Sequence, residues 1–477
     1  MLLVISLGCL SGLLAVVLFG LLSMYIRLTK RQPENRNRDD EDGDVFGDFW
    51  ESHPGGTQLI CKPSALANWL LRDLQRLSLL ESTDWWMRKW PHIQTIVQNL
   101  LPADKVLEVA RDHLQLADGG IVALDWVVGP RGISQPRTGS NSASSPQLLF
   151  IIPNLCGKLT RNTEQLCLLA LEKGFYPVIF NRRGQNGCPL VTVKLQAFGE
   201  PADLKEAVSY VRFRHPSSLL FVVSEGLGSG LLLSYLGECG SSSYITAASC
   251  ISPVFRCQEW FQTGLPWLYE GLLLLYQKFH LSRYSTALRD VFSMEKVLSS
   301  SSLQELHQLL FCQCTGGNIS WDEYWEHNDP LRDVDEVAVP VMCICSTDDP
   351  IRGPAEKTLP IELFRTNPYF FLSLTHYGGH CGFLTRSNVP WSHQVTIDYF
   401  RSVTEFFRLE EKTHVLPRSR SSVMINRRRR GTLQRRDRSV TDLQQMFSWK
   451  RSYTRYGIHY PETQYPESSE LRKGHLP

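Results

Sequence analysis

Five short, mostly apolar runs decide what this chain can fold into. They occupy residues 148–152, 177–181, 219–223, 341–346 and 370–374, and helical patterning separates several of them, at residues 163–173, 198–214 and 231–236. A strand that is apolar on both faces must be covered on both, so this alternation predicts a buried, mostly parallel central sheet flanked by helices. In such α/β sheets ligand chemistry gathers beyond the carboxyl ends of the strands. The polar signatures of this chain fall there. Pro153-Asn154-Leu155-Cys156-Gly157 follows the first run and Arg182-Arg183-Gly184 the second. Ser224-Glu225-Gly226-Leu227-Gly228-Ser229 follows the third, Thr347-Asp348-Asp349 the fourth, and Tyr377-Gly378-Gly379-His380 the fifth.

The pattern delimits a domain over residues 57–415. Residues 57–116 carry helical periodicity with many aromatics, among them Trp85, Trp86 and Trp90. Residues 120–128 alternate as a strand does, and residues 129–147, rich in Ser, Gly, Pro and Asn, read as a long mobile loop. Residues 255–320 interrupt the alternation with an apolar helical insertion that includes Trp260, Trp267 and the four leucines 272–275. It reads either as a lid over the strand ends or as additional core helices.

The two ends differ from this body. Residues 1–26 contain no charged side chain, and Arg27, Lys30 and Arg31 follow directly. At ~1.5 Å per residue such a helix spans a ~30 Å hydrocarbon core. Basic flanks stay cytoplasmic, so the expectation is a transmembrane or signal-anchor helix with a cytosolic body, at the endoplasmic reticulum. The alternative is a cleaved signal peptide and a secreted protein. Residues 27–56 form an acidic tether. Residues 416–477 hold 14 basic and 5 acidic residues, against a mildly acidic remainder, and are expected to be disordered. Thr432 and Ser439 follow basic residues there as phosphorylation candidates. Arg427-Arg428-Arg429-Arg430 could equally rest on anionic lipid, and a solvated tail without a role is the third reading.

The net charge of +2 gives no reason to expect a nucleic-acid partner. The 13 cysteines are scattered through apolar runs, with no CxxC pair and no zinc-type Cys/His spacing. They read as buried thiols in a reducing compartment, and neither a metal nor another cofactor is expected.

The order of the signatures suggests acyl-transfer chemistry. That chemistry needs a nucleophile on a tight strand-to-helix turn, then an acid, then a histidine that takes the hydroxyl proton. Asp349 and His380 suit the last two roles, with Asp348 as the rival acid. The nucleophile is the anomaly. A G-x-S-x-G register centred on Ser224 puts the β-branched Val222 where a small residue belongs. Registers centred on Gly226 or Gly228 have small flanks, but each puts glycine in the place of serine. Glycine adopts the strained turn at little cost, where another residue loses about 1–3 kcal/mol. Without that oxygen, Asp349 and His380 can at most activate water.

These segments resemble the branch of the α/β-hydrolase superfamily that includes abhydrolase domain-containing proteins 1, 2 and 3 and a bacterial relative. The resemblance runs over about residues 116–407. It rests on Asp118-Gly119-Gly120 with Leu124-Asp125-Trp126, on Pro153-x-x-x-Gly157, and on Phe180-Asn181-x-Arg183-Gly184 with Asp203-Leu204. Leu232-Leu233-Ser234-Tyr235-Leu236-Gly237 and Tyr377-Gly378-Gly379-His380-x-Gly382-Phe383 complete it. It implies an α/β-hydrolase fold, an N-terminal membrane anchor and lipid acyl esters as the substrate class of active members. It aligns the family's serine with Gly226, its acid with Asp349 and its histidine with His380. The oxyanion donors fall on the backbone N–H of Leu227 and on one near Leu155 or Cys156.

Two functions are consistent with this. One is a non-catalytic regulator or scaffold of lipid metabolism, using the acyl pocket to sense a lipid or its surface to hold a protein partner near a membrane. The other is an active carboxylesterase, or acylglycerol or phospholipid hydrolase, in which Ser224 or Ser229 serves with Asp349 and His380.

Overall fold

The computed structural model describes residues 57–78, 89–99, 107–128, 147–415 except 156, 158, 264, 315–316 and 386–388, and 449–455. The apolar segment 1–26, the tether 27–56, residues 129–146, Trp85, Trp86, the four-arginine run, Thr432 and Ser439 lie outside the described residues. Among those described, no helix is long and apolar enough to cross a membrane.

Ten strands build one sheet. They are β1 (Gln58–Ile60), β2 (Glu108–Gln115), β3 (Ile121–Val127), β4 (Gln147–Ile152), β5 (Phe175–Asn181), β6 (Leu219–Glu225), β7 (Ala247–Ile251), β8 (Val341–Ser346), β9 (Phe370–Thr375) and β10 (Trp449–Arg455). Their order is β1-β9-β8-β7-β6-β4-β5-β3-β2-β10. The six central strands run parallel, from β9 to β5. The outer pairings are antiparallel. The apolar runs became these central strands because each is covered on both faces: Leu149, Phe150, Val222, Val223, Cys343 and Ile344 are all fully buried.

Helices α1 (Ala65–Ser78), α2 (Pro91–Asn99), α3 (Arg161–Glu172), α4 (Ala202–Arg214) and α5 (Gly228–Cys239) connect these strands. Helices α6 (Cys257–Thr263), α7 (Trp267–Ser282), α8 (Trp321–Asn328) and α9 (Trp391–Val415) complete the larger ones. Thr160 caps α3 by accepting the Thr163 N–H at 3.2 Å.

Three expectations change. Residues 108–115, read as part of a helical region, form β2. Their apolar alternation is hidden because Arg111 and Asp112 are buried in polar pairs. Arg111 Nε and Nη2 each donate to Asp125 at 2.6 Å, while Trp126 and Tyr210 donate to Asp112 at 2.9 and 3.1 Å. The helix expected from residue 198 starts at Ala202, because Phe198 packs instead against Phe261 and Trp325 of the insertion side. Within the tail expected to be disordered, Trp449–Arg455 pairs antiparallel with β2. An otherwise open strand edge templates such pairing, and Trp, Tyr and Thr favour it.

Hydrophobic burial divides in two. One cluster lies against the sheet and includes Leu149, Phe221, Val223, Ile344, Tyr399 and Phe400. The other is built by the insertion and α8, with Trp260, Phe261, Leu306 and Trp325 packed around Phe198 and Leu227. The insertion holds α6, α7, three shorter helices (285–288, 294–299 and 303–307) and a π turn over 308–312. Helix α7 is fastened near both ends. Tyr269 and His92 of α2 share a 2.8 Å hydrogen bond. At the other end His280 and Tyr284 approach the Gly184 carbonyl at 2.7 and 3.0 Å. Gly184 lies beyond the carboxyl end of β5, so the insertion is tied to the strand-end side of the sheet.

Candidate active site

The site is assembled at the ends of β4, β6, β8 and β9. The β6–α5 turn decides the register of the missing nucleophile. Gly226 has φ of +50°, the left-handed region that favours glycine. A β-carbon built on it would stand 2.8 Å from His380 Nε2 and 3.2 Å from Asn154 Nδ2. A β-carbon on Gly228 would instead meet the Pro153 carbonyl oxygen at 2.3 Å, where α5 starts hard against the end of β4. Gly226 is therefore the residue that presents its side-chain direction to the imidazole.

His380 is buried, and its Nδ1 lies 2.9 and 3.1 Å from the two carboxylate oxygens of Asp349. Asp349 Oδ1 also accepts the N–H groups of Ile351 and Arg352, at 2.8 and 2.9 Å. Burial alone would raise this carboxyl. The facing imidazole, the Arg352 guanidinium and the backbone N–H outweigh it and hold the carboxyl below its ordinary range. The rival Asp348 turns elsewhere. It accepts the N–H groups of Gly378 and Gly379 at 3.0 and 2.9 Å, shaping the loop that carries His380. Burial pushes its pKa up to about 6.

The two candidate serines are not brought to the histidine. Ser224 donates to Ser229 at 2.9 Å, and both are buried. Among the described residues, the hydrogen bonds of the His380 ring go to Asp349. The oxyanion donors also part company. The Leu227 N–H sits at the N-terminal end of α5 without a partner among the described residues. The Leu155 N–H is already taken, donating to Asn154 Oδ1 at 2.6 Å. Cys156 lies outside the described residues.

Several residues of the resemblance motifs turn out to hold this frame. Arg183 donates twice to Asp203 at 2.6 Å and pairs with Asp118 at 2.8 Å. It thereby fixes the loop from which Gln185 donates to the Leu155 carbonyl at 3.0 Å. Immediately before the apex, Glu225 is buried and accepts from Asn162 and Thr163 of α3 at 3.0 and 3.1 Å. Burial pushes its pKa up to about 7, against those two hydrogen bonds.

Helix α2 is a part of the site that sequence reasoning missed. Thr95 Oγ1 accepts the His380 N–H at 2.9 Å and Asn99 donates to the His380 carbonyl at 2.9 Å. Gln94 accepts the Leu384 N–H at 3.0 Å. The available signal was the spacing of Gln94, Thr95, Gln98 and Asn99, which sets four polar side chains on one helical face.

Comparison with known proteins agrees with this architecture, although no family model matches the chain. It is 56% identical over 437 residues to Protein ABHD15 of Homo sapiens, covering 89% of this chain and 92% of that protein. It is 28% identical over 301 residues to Phospholipase ABHD3 of Mus musculus, covering 61% and 70% respectively. To Monoacylglycerol lipase ABHD2 of Danio rerio it is 21% identical over 382 residues, covering 75% and 87%. With a mostly parallel sheet, an acid–histidine pair at successive strand ends and more than half its residues shared with a relative over nine-tenths of that relative's length, the chain belongs to the abhydrolase family of α/β-hydrolase-fold proteins.

Proposed function

We propose that this protein binds an acyl lipid without hydrolysing it, and acts as a regulator or scaffold of lipid metabolism. One observation carries the reading: the side-chain direction aimed at His380 Nε2 belongs to Gly226, which has no oxygen to activate. Covalent acyl transfer needs a nucleophile within hydrogen-bond reach of its base. Ser224 and Ser229 are engaged with each other, and the Asn154 side chain occupies one of the two expected oxyanion donors. Relatives named as a phospholipase and a monoacylglycerol lipase support a lipid as the ligand class. The uncharged segment 1–26 and the basic residues that follow support attachment to a membrane with the body in the cytosol.

A fluorophosphonate probe, which labels activated serines, tests the reading. The full chain is expected to stay unlabelled, and Gly226→Ser to gain labelling. Labelling of the natural sequence that disappears in Ser224→Ala or Ser229→Ala overturns the proposal and makes the protein a working esterase. A folded but silent Gly226→Ser would place the loss of activity in more than one residue.

A further inference from the structure

We infer that the outward face of α7 rests on the surface of a lipid bilayer, with Trp267, Leu275 and Phe279 entering its apolar boundary. This contact presupposes the membrane attachment proposed above for segment 1–26 and is a second one, made by the folded body.

Helix α7 is apolar on both its inner and its outer side. Tyr269, Leu274 and Leu281 are buried. The three most exposed large hydrophobic side chains among the described residues belong to the same helix: Trp267 at 73%, Leu275 at 66% and Phe279 at 59%. Leu272 of α7 is exposed as well, and so is Leu298 on the short helix 294–299. Side chains four residues apart share one side of a helix, so positions 267, 271, 275 and 279 form a line of about 18 Å. Gly271 leaves that line open, since a β-carbon there would meet nothing within 4 Å. A single exposed leucine is ordinary on a protein surface. A continuous apolar face is not, and a helix that is apolar all round is normally covered all round.

The charges of α7 select the cover. Its one acidic residue, Glu270, is engaged with the insertion and accepts the Leu303 N–H at 3.1 Å. Its cations lie toward the C-terminal end. The Arg283 guanidinium stands over the Phe279 ring, 4.7 Å from its centroid, and Lys278 donates to the Ser300 carbonyl. Tryptophan, leucine and phenylalanine on one face, with basic side chains and no carboxylate beside them, is the composition of a helix lying in the plane of a bilayer interface. Long basic side chains there reach back to the headgroups, anionic ones in particular.

The sequence also brings the bilayer within reach. Residues 1–26 hold no charged side chain, and residues 27–56 join them to the body. Thirty residues span at most about 100 Å. A bilayer that holds the first segment therefore stays close to the body, and a contact too weak to hold alone becomes intramolecular.

The test uses the full chain reconstituted in vesicles of phosphatidylcholine and phosphatidylserine, with plain or brominated acyl chains. Bromine quenches only those tryptophans that reach the acyl region. The natural chain is expected to be quenched more strongly than Trp267→Phe, the difference being the signal of Trp267. In the Leu275→Glu/Phe279→Glu background that difference is expected to fall at least threefold, with thermal unfolding reporting the fold. Equal quenching of the natural chain and Trp267→Phe overturns the inference, as does a folded Leu275→Glu/Phe279→Glu chain that keeps the full Trp267 signal. Light scattering in detergent covers a rival occupant. A dimer that Leu275→Glu/Phe279→Glu dissociates, with no Trp267 signal in vesicles, assigns the face to a second copy and overturns the lipid contact. Flotation separates the contact from the anchor. Both the natural chain and Leu275→Glu/Phe279→Glu are expected to float with the vesicles. If only the natural chain floats and Trp267 is quenched, the face stands and the anchor falls. Flotation of the natural chain without a Trp267 signal sinks the face alone, and a natural chain that does not float sinks both.

Discussion

The Ser224 hydroxyl donates to the Ser229 hydroxyl across 2.9 Å, and the same pair reaches the Cys250 thiol on the neighbouring strand. A buried hydroxyl that loses its partner suffers the desolvation penalty without compensation, about 1–3 kcal/mol, whereas removing both partners together can be close to neutral. Ser224→Ala and Ser229→Ala are therefore each expected to destabilise the fold by about that amount. The double variant should cost clearly less than the two added together. Urea unfolding of the four proteins measures the coupling. Strict additivity would mean that the two serines do not act as a pair.

Gly226 makes a sharper prediction. A β-carbon there enters a left-handed turn at φ of +50° and comes within 2.8 Å of a ring that Asp349 holds in place. Gly226→Ala should lose on the order of 1–3 kcal/mol from backbone conformation and crowding together. Relieving the ring should recover part of it. His380→Ala combined with Gly226→Ala is expected to be less destabilised than the sum of the two single variants, as read from thermal unfolding. If the double variant shows the full sum, the contact between position 226 and the imidazole is not the source of the cost.

What the sequence disclosed and what it hid follow from the kind of force involved. Strands β8 and β9 were plain because every residue of each is buried, so their patterns reduce to apolar runs. Strand β2 was not, since Arg111 and Asp112 are buried by specific partners at residues 125, 126 and 210, and no local pattern announces a partner far along the chain. Strand β7, Ala-Ala-Ser-Cys-Ile, is too small in side chain to stand out. The same distinction holds in the site. The steric demands of a tight turn left Gly226 or Gly228, the family resemblance pointed to Gly226, and the geometry at His380 agrees. Asp349 was chosen over its rival Asp348 at the same turn, and the geometry agrees, since Asp349 meets the imidazole while Asp348 accepts backbone N–H groups. The occupation of the Leu155 N–H by the Asn154 side chain needed coordinates.

Glu225 supplies a pH dependence. Its carboxyl titrates near its ordinary 4.5 in the unfolded chain and is raised to about 7 by burial in the fold. Between these values the folded chain holds a proton that the unfolded chain has released. The favourable contribution is thus fully present below pH 4.5 and lost as the pH rises through about 7. The loss is on the order of 3 kcal/mol at most. Glu225→Gln keeps a side-chain acceptor for α3 and cannot ionise. It should gain stability relative to the natural chain as pH is raised from 5 to 8, with the two unfolding curves compared at each pH. Parallel pH profiles would show that the carboxyl stays ionised throughout.

The His92–Tyr269 bond that fastens α7 should also respond to acid. Burial holds the His92 ring below its ordinary 6.5, so the unfolded or opened form binds the proton more readily. Its contribution is present at neutral pH and is lost as the pH falls through and below about 6.5. Amide exchange across residues 267–282 is expected to quicken at pH 5.5 relative to 7.5, after correction for intrinsic rates. Tyr269→Phe should quicken it at both, by about fivefold for a hydrogen bond of ~1 kcal/mol. Exchange in α7 that is indifferent to both changes would show that the helix is held by apolar packing alone.

Helix α2 gives the prediction that separates positioning from mere stability. Thr95 and Asn99 hold the backbone N–H and carbonyl of His380, each at 2.9 Å, from a helix 281 or more residues away in sequence. Both hydrogen-bond the backbone of His380 while its ring bonds Asp349, so their effect on chemistry passes through the placement of the loop. In a Gly226→Ser background that has gained fluorophosphonate labelling, Thr95→Val should slow the labelling tenfold or more, because a base displaced by about 1 Å loses its reach to the hydroxyl. The same substitution leaves a buried N–H without its acceptor and should cost about 1–3 kcal/mol of stability. Thr95→Ser keeps the hydroxyl and should restore most of the labelling rate. A structural role alone would lower the unfolding temperature in Thr95→Val and leave the labelling rate per folded molecule unchanged. That outcome would remove α2 from the site.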